Sequence, residues 1–250
     1  MDESGQTDVP SAPNRNAFPA TRWSLVISAR DQDSPAAERA LSELCELYWF
    51  PLYCFVRRKG HAPQDAEDLT QEFFRLVIEK NYFGTADAER GKLRSFLLVA
   101  MKNFLSDSWR AANAKKRGGG KVILSLDQKT AEDRYLVEPS HEQTPESLFE
   151  LRWAQNRSNH IMNKLRAIYQ DLGKADLFEA LHEFIASNSA DGSYGEASAK
   201  LGITEGAARV NVFRMRKRYG ELLRAQIEET VASPEDAAGE LQHIYKVLQK

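Results

Sequence analysis

The sequence predicts an all-α fold of two small helical domains joined by a flexible linker, the second domain with a helix-turn-helix. Apolar residues recur at the three- and four-residue spacing of a helix through most of the chain. Serine or threonine followed by proline opens several of these segments, as expected of helix N-termini. No alternating strand pattern and no internal repeat is present. The 250 residues, 42% of them apolar and 28% charged, exclude a wholly disordered chain.

The first half of the chain is predicted to hold a disordered extension (1–19) and one helical domain (20–115). Ser34-Pro35 predicts the start of a helix that Pro51 kinks and Gly60 ends. Pro63 opens a second helix, and residues 81–91 form a loop. A third helix is expected from about residue 92 down to the three glycines at 118–120.

The second half is predicted to begin with an acidic flexible linker (116–144), because residues 121–143 show no sustained helical period. Thr144-Pro145 then opens a helical domain (145–232), in which residues 174–186 form one helix. Residues 194–201 form another, Gly202 supplies a turn and Thr204 caps a long final helix. Ser233-Pro234 opens a C-terminal helical tail (233–250).

The charge is distributed in blocks, although the formal net charge of the chain is only −2. Residues 90–121 carry nine cationic side chains and one anionic one, a net +8, and residues 205–224 carry a net +4. The stretch between them, 127–150, has a net charge of −5. Two basic blocks around an acidic one indicate two nucleic-acid contacts. The alternative is two solvated helix faces.

The long helix after Thr204 has one face predicted to pack inward and an opposite face suited to the DNA major groove. The inward residues are Ala208, Val212, Met215 and Tyr219, and the outward ones are Ala207, Arg209, Val210, Asn211, Phe213, Arg214 and Lys217. Arginine and asparagine side chains read base edges and hold phosphates. Val210 and Phe213 would meet thymine methyl groups or a protein partner. The alternative is an ordinary helical hairpin with a solvated face.

A second motif is the acidic stripe of the helix that Pro63 opens. Asp65, Asp68 and Glu72 share one side of this helix, and Leu69, Phe73 and Leu76 share another. Such a stripe is either a docking face for a basic protein surface or simply a solvated face.

A third motif is the basic and aromatic helix 93–110 with its tail. Lys102, Asn103, Arg110 and the cluster 115–117 alternate with Phe96, Phe104 and Trp109. Basic groups that hold phosphates, next to aromatic rings for unstacked bases, are typical of single-strand capture. The alternative places the aromatic rings in the core, which we favour for Phe96 and Phe104.

Enzyme and cofactor signatures fail, so we predict no catalytic centre, no cofactor and no metal. The glycines at 118–120 precede Lys121 and then Val122, where a phosphate-binding loop has serine or threonine. His182-Glu183 lacks the second histidine of a zinc helix. Cys45 and Cys54 are expected to be small core residues of a cytoplasmic protein, and no apolar run is long enough for a membrane span.

In the order of its motifs, the chain resembles an extracytoplasmic-function sigma factor, of the sigma-70 family of bacterial RNA polymerase. Residues 65–74 (DAEDLTQEFF) look like that family's region 2.2. Residues 94–110 (RSFLLVAMKNFLSDSWR) are similar to regions 2.3 and 2.4, and residues 193–223 look like region 4.2. The resemblance covers roughly 22–110 and 150–230, and the linker is long for the family.

The resemblance implies an initiation subunit that docks on core polymerase and directs promoter recognition. Asp65, Asp68, Gln71 and Glu72 would bind the polymerase core, with the β′ clamp and β flap as partners. Lys102, Asn103, Trp109 and Arg110 would face the −10 element, and the loop 81–90 would capture a flipped base. Arg209, Asn211, Arg214 and Lys217 would face the −35 duplex. An anti-sigma protein is a further implied partner.

Two other classes of function remain open from the residues themselves. A stand-alone helix-turn-helix transcriptional regulator would bind duplex DNA tightly without polymerase. A helical scaffold or adaptor protein would not need Arg209 and Arg214 at all.

Overall fold

The computed structural model describes residues 35–79, 92–112, 128–136, 143–186, 194–231 and 233–249. The side chains of 35–41, 78–79, 109–112 and 128–130 are outside this description. All regular secondary structure in the described ranges is α-helical, which confirms the all-α prediction. The predicted extension 1–19, the loop 81–91 and the basic cluster 115–117 lie outside the described residues.

Ten helices follow one another along the described ranges. They are α1 (Pro35–Arg58), α2 (Pro63–Glu79), α3 (Leu93–Ala112), α4 (Gln128–Leu136), α5 (Pro145–Asp171), α6 (Ala175–Leu181), α7 (Glu183–Ala186), α8 (Gly195–Leu201), α9 (Glu205–Glu228) and α10 (Pro234–Leu248).

The predicted helix starts in the second half of the chain are confirmed by their hydrogen bonds. The Oγ1 of Thr144 accepts the backbone N–H of Ser147 at 3.1 Å, and the Oγ1 of Thr204 accepts that of Ala207 at 3.2 Å. The Oγ of Ser233 accepts the N–H of the residue three positions on in the same way. Each cap satisfies a backbone donor that the first turn leaves free.

Two sequence predictions of helix extent are wrong. Residues 128–136, predicted as part of an unstructured linker, form α4. This helix packs on α1. Its Ala131 is buried, and its Glu132 carboxylate accepts hydrogen bonds from Tyr53 and Arg57 of α1. Residues 174–186, predicted as one helix, divide at His182 into α6 and α7.

The first hydrophobic core surrounds α1, which is buried almost continuously from Leu47 to Val56. Helices α2, α3, α4 and the first half of α5 pack around it. The end of α9, with Leu223 and Ile227, and the C-terminal helix α10, with Ala237, complete the same core. The predicted C-terminal tail is therefore an integral part of this core.

A second core joins the end of α5 with α6, α8 and the first half of α9. Its buried side chains are Leu165, Phe178, Leu181, Tyr194, Ala208, Val212 and Met215. Helices α5 and α9 run through both cores, so the boundary between the cores crosses these helices rather than the chain at 144–145. The division into two domains stays a prediction.

The two cysteines lie in the first core, as predicted. Cys45 and Cys54 are both buried, and neither forms a disulfide bond with a cysteine of the described residues. Burial, with a smaller contribution from the charge of Glu46, raises the pKa of Cys45 to about 12. A thiol with such a pKa is protonated and unreactive at neutral pH.

Candidate nucleic-acid interface and docking surface

Helices α8 and α9 meet at the turn that Gly202 and Thr204 were predicted to build. Gly202 closes α8 with a φ of +65°, a left-handed conformation that favours glycine. Its neighbour Ile203 donates its backbone N–H to the carbonyl of Ser198 at 3.1 Å, and Thr204 then caps α9. The turn fixes where the first residues of α9 lie.

The outer surface of α9, here called the α9 basic face, consists of Arg209, Val210, Phe213, Arg214 and Lys217. All five side chains are exposed, while Ala208, Val212 and Met215 on the opposite side are buried. The division of α9 into an inner and an outer side is thus the one that its sequence predicts.

The cations of the α9 basic face differ in how they are paired. Arg209 lies 4.0 Å from the Glu205 carboxylate, and its guanidinium stacks over the Tyr194 ring at 5.2 Å. Arg214 and Lys217, in contrast, make no ion pair with any described residue. These two are the cations of α9 best placed to bind an anionic partner.

Asn211, the remaining predicted contact on α9, is only half exposed. Its Nδ2 donates to the backbone carbonyl of Ala207 at 2.9 Å, one turn earlier. An asparagine that reads adenine needs both its amide nitrogen and its amide oxygen. In this structure one of the two N–H groups of that nitrogen is occupied by Ala207, which leaves the other N–H group and the oxygen for a base.

The first basic block has a different environment, because the described cations of α3 and its approach pair with carboxylates. Arg94 is 7% exposed, and its Nη2 lies 2.9 Å from the Glu240 carboxylate of α10. A second nitrogen of Arg94 binds Glu150 of α5. The Nζ of Lys92 lies 3.0 Å from the same Glu240 carboxylate. The network joins the start of α3 to α5 and α10.

The pKa values of the buried pair follow from this arrangement. Burial opposes the charge on Arg94, but the hydrogen bonds and charges of Glu240 and Glu150 raise its pKa above the ordinary value. Burial also opposes ionisation of Glu240, but Arg94 and then Lys92 hold its pKa below the ordinary 4.5. Both side chains are therefore charged at neutral pH.

Lys102, a predicted −10 contact, is likewise paired. Its Nζ lies 2.9 Å from the carboxylate of Glu146 in the first turn of α5. The hydrogen bond from Lys102 lowers the pKa of the Glu146 carboxyl below its ordinary value. The opposing effect of burial is smaller. Both side chains are about two-fifths exposed, so this pair is open to water.

The outer surface of α3 carries no unpaired cation among its described side chains. Ser95, Val99 and Asn103 are exposed along it, and Asp107 follows one turn later. Of the predicted −10 contacts, Asn103 is therefore accessible and Lys102 is paired. The side chains of Trp109 and Arg110 lie outside the described residues. Phe96 and Phe104 pack against the first core, as favoured from the sequence.

The acidic stripe of α2 is present and only partly engaged. Asp65 and Asp68 are exposed and lie one turn apart, and neither pairs with a cation in the described part of the chain. Glu72 instead accepts a hydrogen bond at 2.7 Å from Arg75. Gln71 donates to the Glu67 carboxylate at 3.1 Å. Of the four predicted docking residues, Asp65 and Asp68 are thus the most available.

Sequence reasoning missed the role of Glu240 and of α10. Glu240 lies three residues after buried Ala237 and four before buried Ile244, so it occupies the apolar side of its helix. A carboxylate at such a position signals a buried cation partner. That partner, Arg94, lies 146 residues away in the sequence.

Comparisons of the chain with protein-family models, with curated proteins and with solved structures give no match. Within the described ranges, none of the helices is long and apolar enough to cross a membrane. The same residues bring together no cluster of three or more His, Cys, Asp or Glu side chains able to hold a metal ion.

Proposed function

We propose that the chain is an RNA polymerase sigma factor, which docks on core polymerase and directs promoter recognition and transcription initiation. The observation that carries the proposal is the α9 basic face. It follows a short helix and a glycine turn, and it presents Arg214 and Lys217 free of any carboxylate among the described residues.

The second support comes from α2. A sigma factor needs a surface for the polymerase as well as one for DNA, and Asp65 and Asp68 present two exposed carboxylates one turn apart. Complementary charge steers a basic partner surface toward such a stripe. The two surfaces lie on different cores, α2 in the first and the start of α9 in the second.

The proposal places demands on α3. For Lys102 to bind a phosphate of the −10 strand, its ion pair with Glu146 must break. Because both side chains are exposed, breaking this pair costs little free energy. Arg94 has no such freedom, because its guanidinium is buried between two carboxylates. We therefore assign Arg94 to the fold and Lys102 to DNA.

The test is a reconstitution with purified core polymerase and a promoter library. The full chain should bind core polymerase and direct run-off transcripts, and Asp65→Lys with Asp68→Lys should abolish binding while the helical content is kept. Glu196→Lys in α8, which is exposed and lies outside the acidic stripe, is the matched control. Failure of the wild-type chain to bind core polymerase would refute the proposal.

A stand-alone helix-turn-helix regulator is the second candidate, and one observation favours it. Every described cation from Lys92 to Lys102 is paired within the molecule, whereas Arg214 and Lys217 of the α9 basic face have no ion pair among the described residues. Such a regulator binds its duplex tightly without polymerase. A gel-shift titration of the full chain, with and without core polymerase, separates the two candidates.

A further inference from the structure

The α9 basic face has an apolar centre. Phe213 is 68% exposed and Val210 is 49% exposed, and Phe213 is the most exposed of the large apolar side chains in the described ranges. The two are three residues apart, so they are neighbours on the helix surface. Arg209 and Lys217 lie one turn before and after Phe213, and Arg214 lies one turn after Val210.

These apolar side chains belong to neither of the two hydrophobic cores of the described residues. The inner side of the same helix segment is already filled by buried Ala208, Val212 and Met215. Leaving a phenylalanine ring in water forgoes the free energy of its burial, so a partner that covers it gains that free energy on binding. The cations around the ring show the chemistry of this partner, because they suit a surface that carries phosphates.

We propose that Val210 and Phe213 determine DNA sequence preference by contacting thymine methyl groups in the major groove. The inference rests on the proposed DNA-binding function of α9 and names what the helix reads. The C5-methyl of thymine is the apolar feature of the base edges that the major groove displays. Arg214 and Lys217 hold neighbouring phosphates or guanine edges, and the ring lies beside them against the base edges.

The position of these residues in α9 fits the assignment. Val210 and Phe213 are the sixth and ninth residues of α9, which begins at Glu205. Residues in the N-terminal part of a recognition helix are those that reach base edges. The far end of α9, with Leu223 and Ile227, is buried in the first core and is not available to DNA.

The test begins with selection of bound duplexes from a randomised pool, using the full chain with core polymerase. Each thymine of the selected −35 site is then replaced by deoxyuridine, which removes one methyl group and leaves base pairing unchanged. Wild type should lose about fourfold in affinity for each methyl group it contacts, the cost of one apolar carbon left exposed. Phe213→Ala should bind more weakly to the thymine site and lose sensitivity only to replacement of the thymine that Phe213 contacts, whereas Val210→Ala with Phe213→Ala should be insensitive at every position.

The control is Leu172→Ala, because Leu172 is 60% exposed but lies at the end of α5, off the α9 basic face. It should keep wild-type affinity and wild-type sensitivity to deoxyuridine.

Two outcomes overturn the inference, and they differ from failure of the proposed function. If deoxyuridine at every position leaves wild-type binding unchanged, Phe213 does not read thymine. If Phe213→Ala abolishes self-association of the chain in sedimentation but leaves DNA affinity intact, the apolar centre binds a second copy instead. If Arg214→Gln and Lys217→Gln leave duplex binding unchanged, the DNA-binding role of α9 fails, and the inference fails with it.

Discussion

Helices α3 and α9 carry the two basic blocks of the sequence, and the structure treats their cations in opposite ways. Lys92, Arg94 and Lys102 pair with carboxylates of α5 and α10. Arg214 and Lys217 of α9 face water with no ion pair among the described residues. The block with the larger net charge in the sequence is therefore the one whose described cations are less available to a ligand.

The comparison shows that charge density along a sequence does not measure accessible charge. The carboxylates that neutralise the start of α3 come from segments 56 and 146 residues away. Those of α9 lie within four residues of their partners. The pairs of Arg94 form inside a core and stabilise the fold, whereas local pairs on an exposed helix are weak and yield to a competing anion.

The largest expected effect comes from breaking the buried network of α3. Arg94→Met removes the cation between Glu240 and Glu150 and leaves both carboxylates without their guanidinium partner. We expect the free energy of unfolding to fall by about 3 to 5 kcal/mol, as for other buried pairs that lose one member. Chemical denaturation followed by circular dichroism measures it.

The control for this prediction is Arg166→Met. Arg166 lies 2.9 Å from Glu179, but both side chains are more than a third exposed. Its loss should change the free energy of unfolding by less than about 1 kcal/mol. Equal effects of the two substitutions would contradict a structural role for Arg94.

The next effect concerns α9, where loss of cations should change affinity rather than stability. Arg214→Gln with Lys217→Gln should weaken promoter binding about 10- to 100-fold, and should lower the dependence of log affinity on log salt by about two. The free energy of unfolding should stay within about 0.5 kcal/mol of wild type, since neither side chain has an ion-pair partner among the described residues. Fluorescence anisotropy at several salt concentrations measures both quantities, and an unchanged salt slope would contradict phosphate contact.

How far the sequence predicts the structure depends on the range of the interactions involved. The caps at Thr144, Thr204 and Ser233 were predicted because a cap and its partner are three residues apart. The exposed face of α9 was predicted for the same reason, since helical spacing alone separates its two sides.

Helix α4 and the pairing of Arg94 were missed because they depend on distant residues. A nine-residue helix is too short to be stable alone. Its anchor is Glu132, which accepts hydrogen bonds from Arg57 at 2.9 Å and from Tyr53 at 2.6 Å, 75 and 79 residues away. No local pattern in the segment 128–136 encodes these partners.

A smaller effect is expected from acid. Because the pKa of Glu240 is held below its ordinary 4.5, ionised Glu240 stabilises the fold above that pH, and its contribution is lost as the pH falls through the lowered value. As the pH falls, the free energy of unfolding should decrease more in wild type than in Glu240→Gln. The total difference is about 1.4 kcal/mol for each unit by which the pKa of Glu240 is lowered. Denaturation curves between about pH 7 and 3 measure the difference, and parallel curves for the two proteins would contradict it.

The smallest effect is expected at the exposed pair of Lys102 and Glu146. Removing the carboxylate should leave Lys102 of α3 unpaired, as Arg214 and Lys217 of α9 already are among the described residues. Glu146→Gln frees Lys102 and also removes a favourable charge from the first turn of α5, so the free energy of unfolding should change by less than about 1 kcal/mol. If Lys102 holds the −10 strand in the polymerase complex, its release should raise affinity for that strand about two- to fivefold at low salt. The gain should shrink at high salt, because the added contact is electrostatic.

The matched control is Glu179→Gln, which frees the equally exposed Arg166 on α5, away from α3. Electrophoretic competition with single-stranded −10 oligonucleotides compares the two variants in complex with core polymerase. Glu146 also lies 4.0 Å from Lys59, so the gain must be absent when Lys102→Met is added to Glu146→Gln. A gain confined to Glu146→Gln and dependent on Lys102 means that α3 holds a DNA-binding cation behind a weak ion pair. An equal gain in both variants would mean only that removal of any surface carboxylate favours DNA, and Lys102 would then belong with Arg94 among the structural cations of α3.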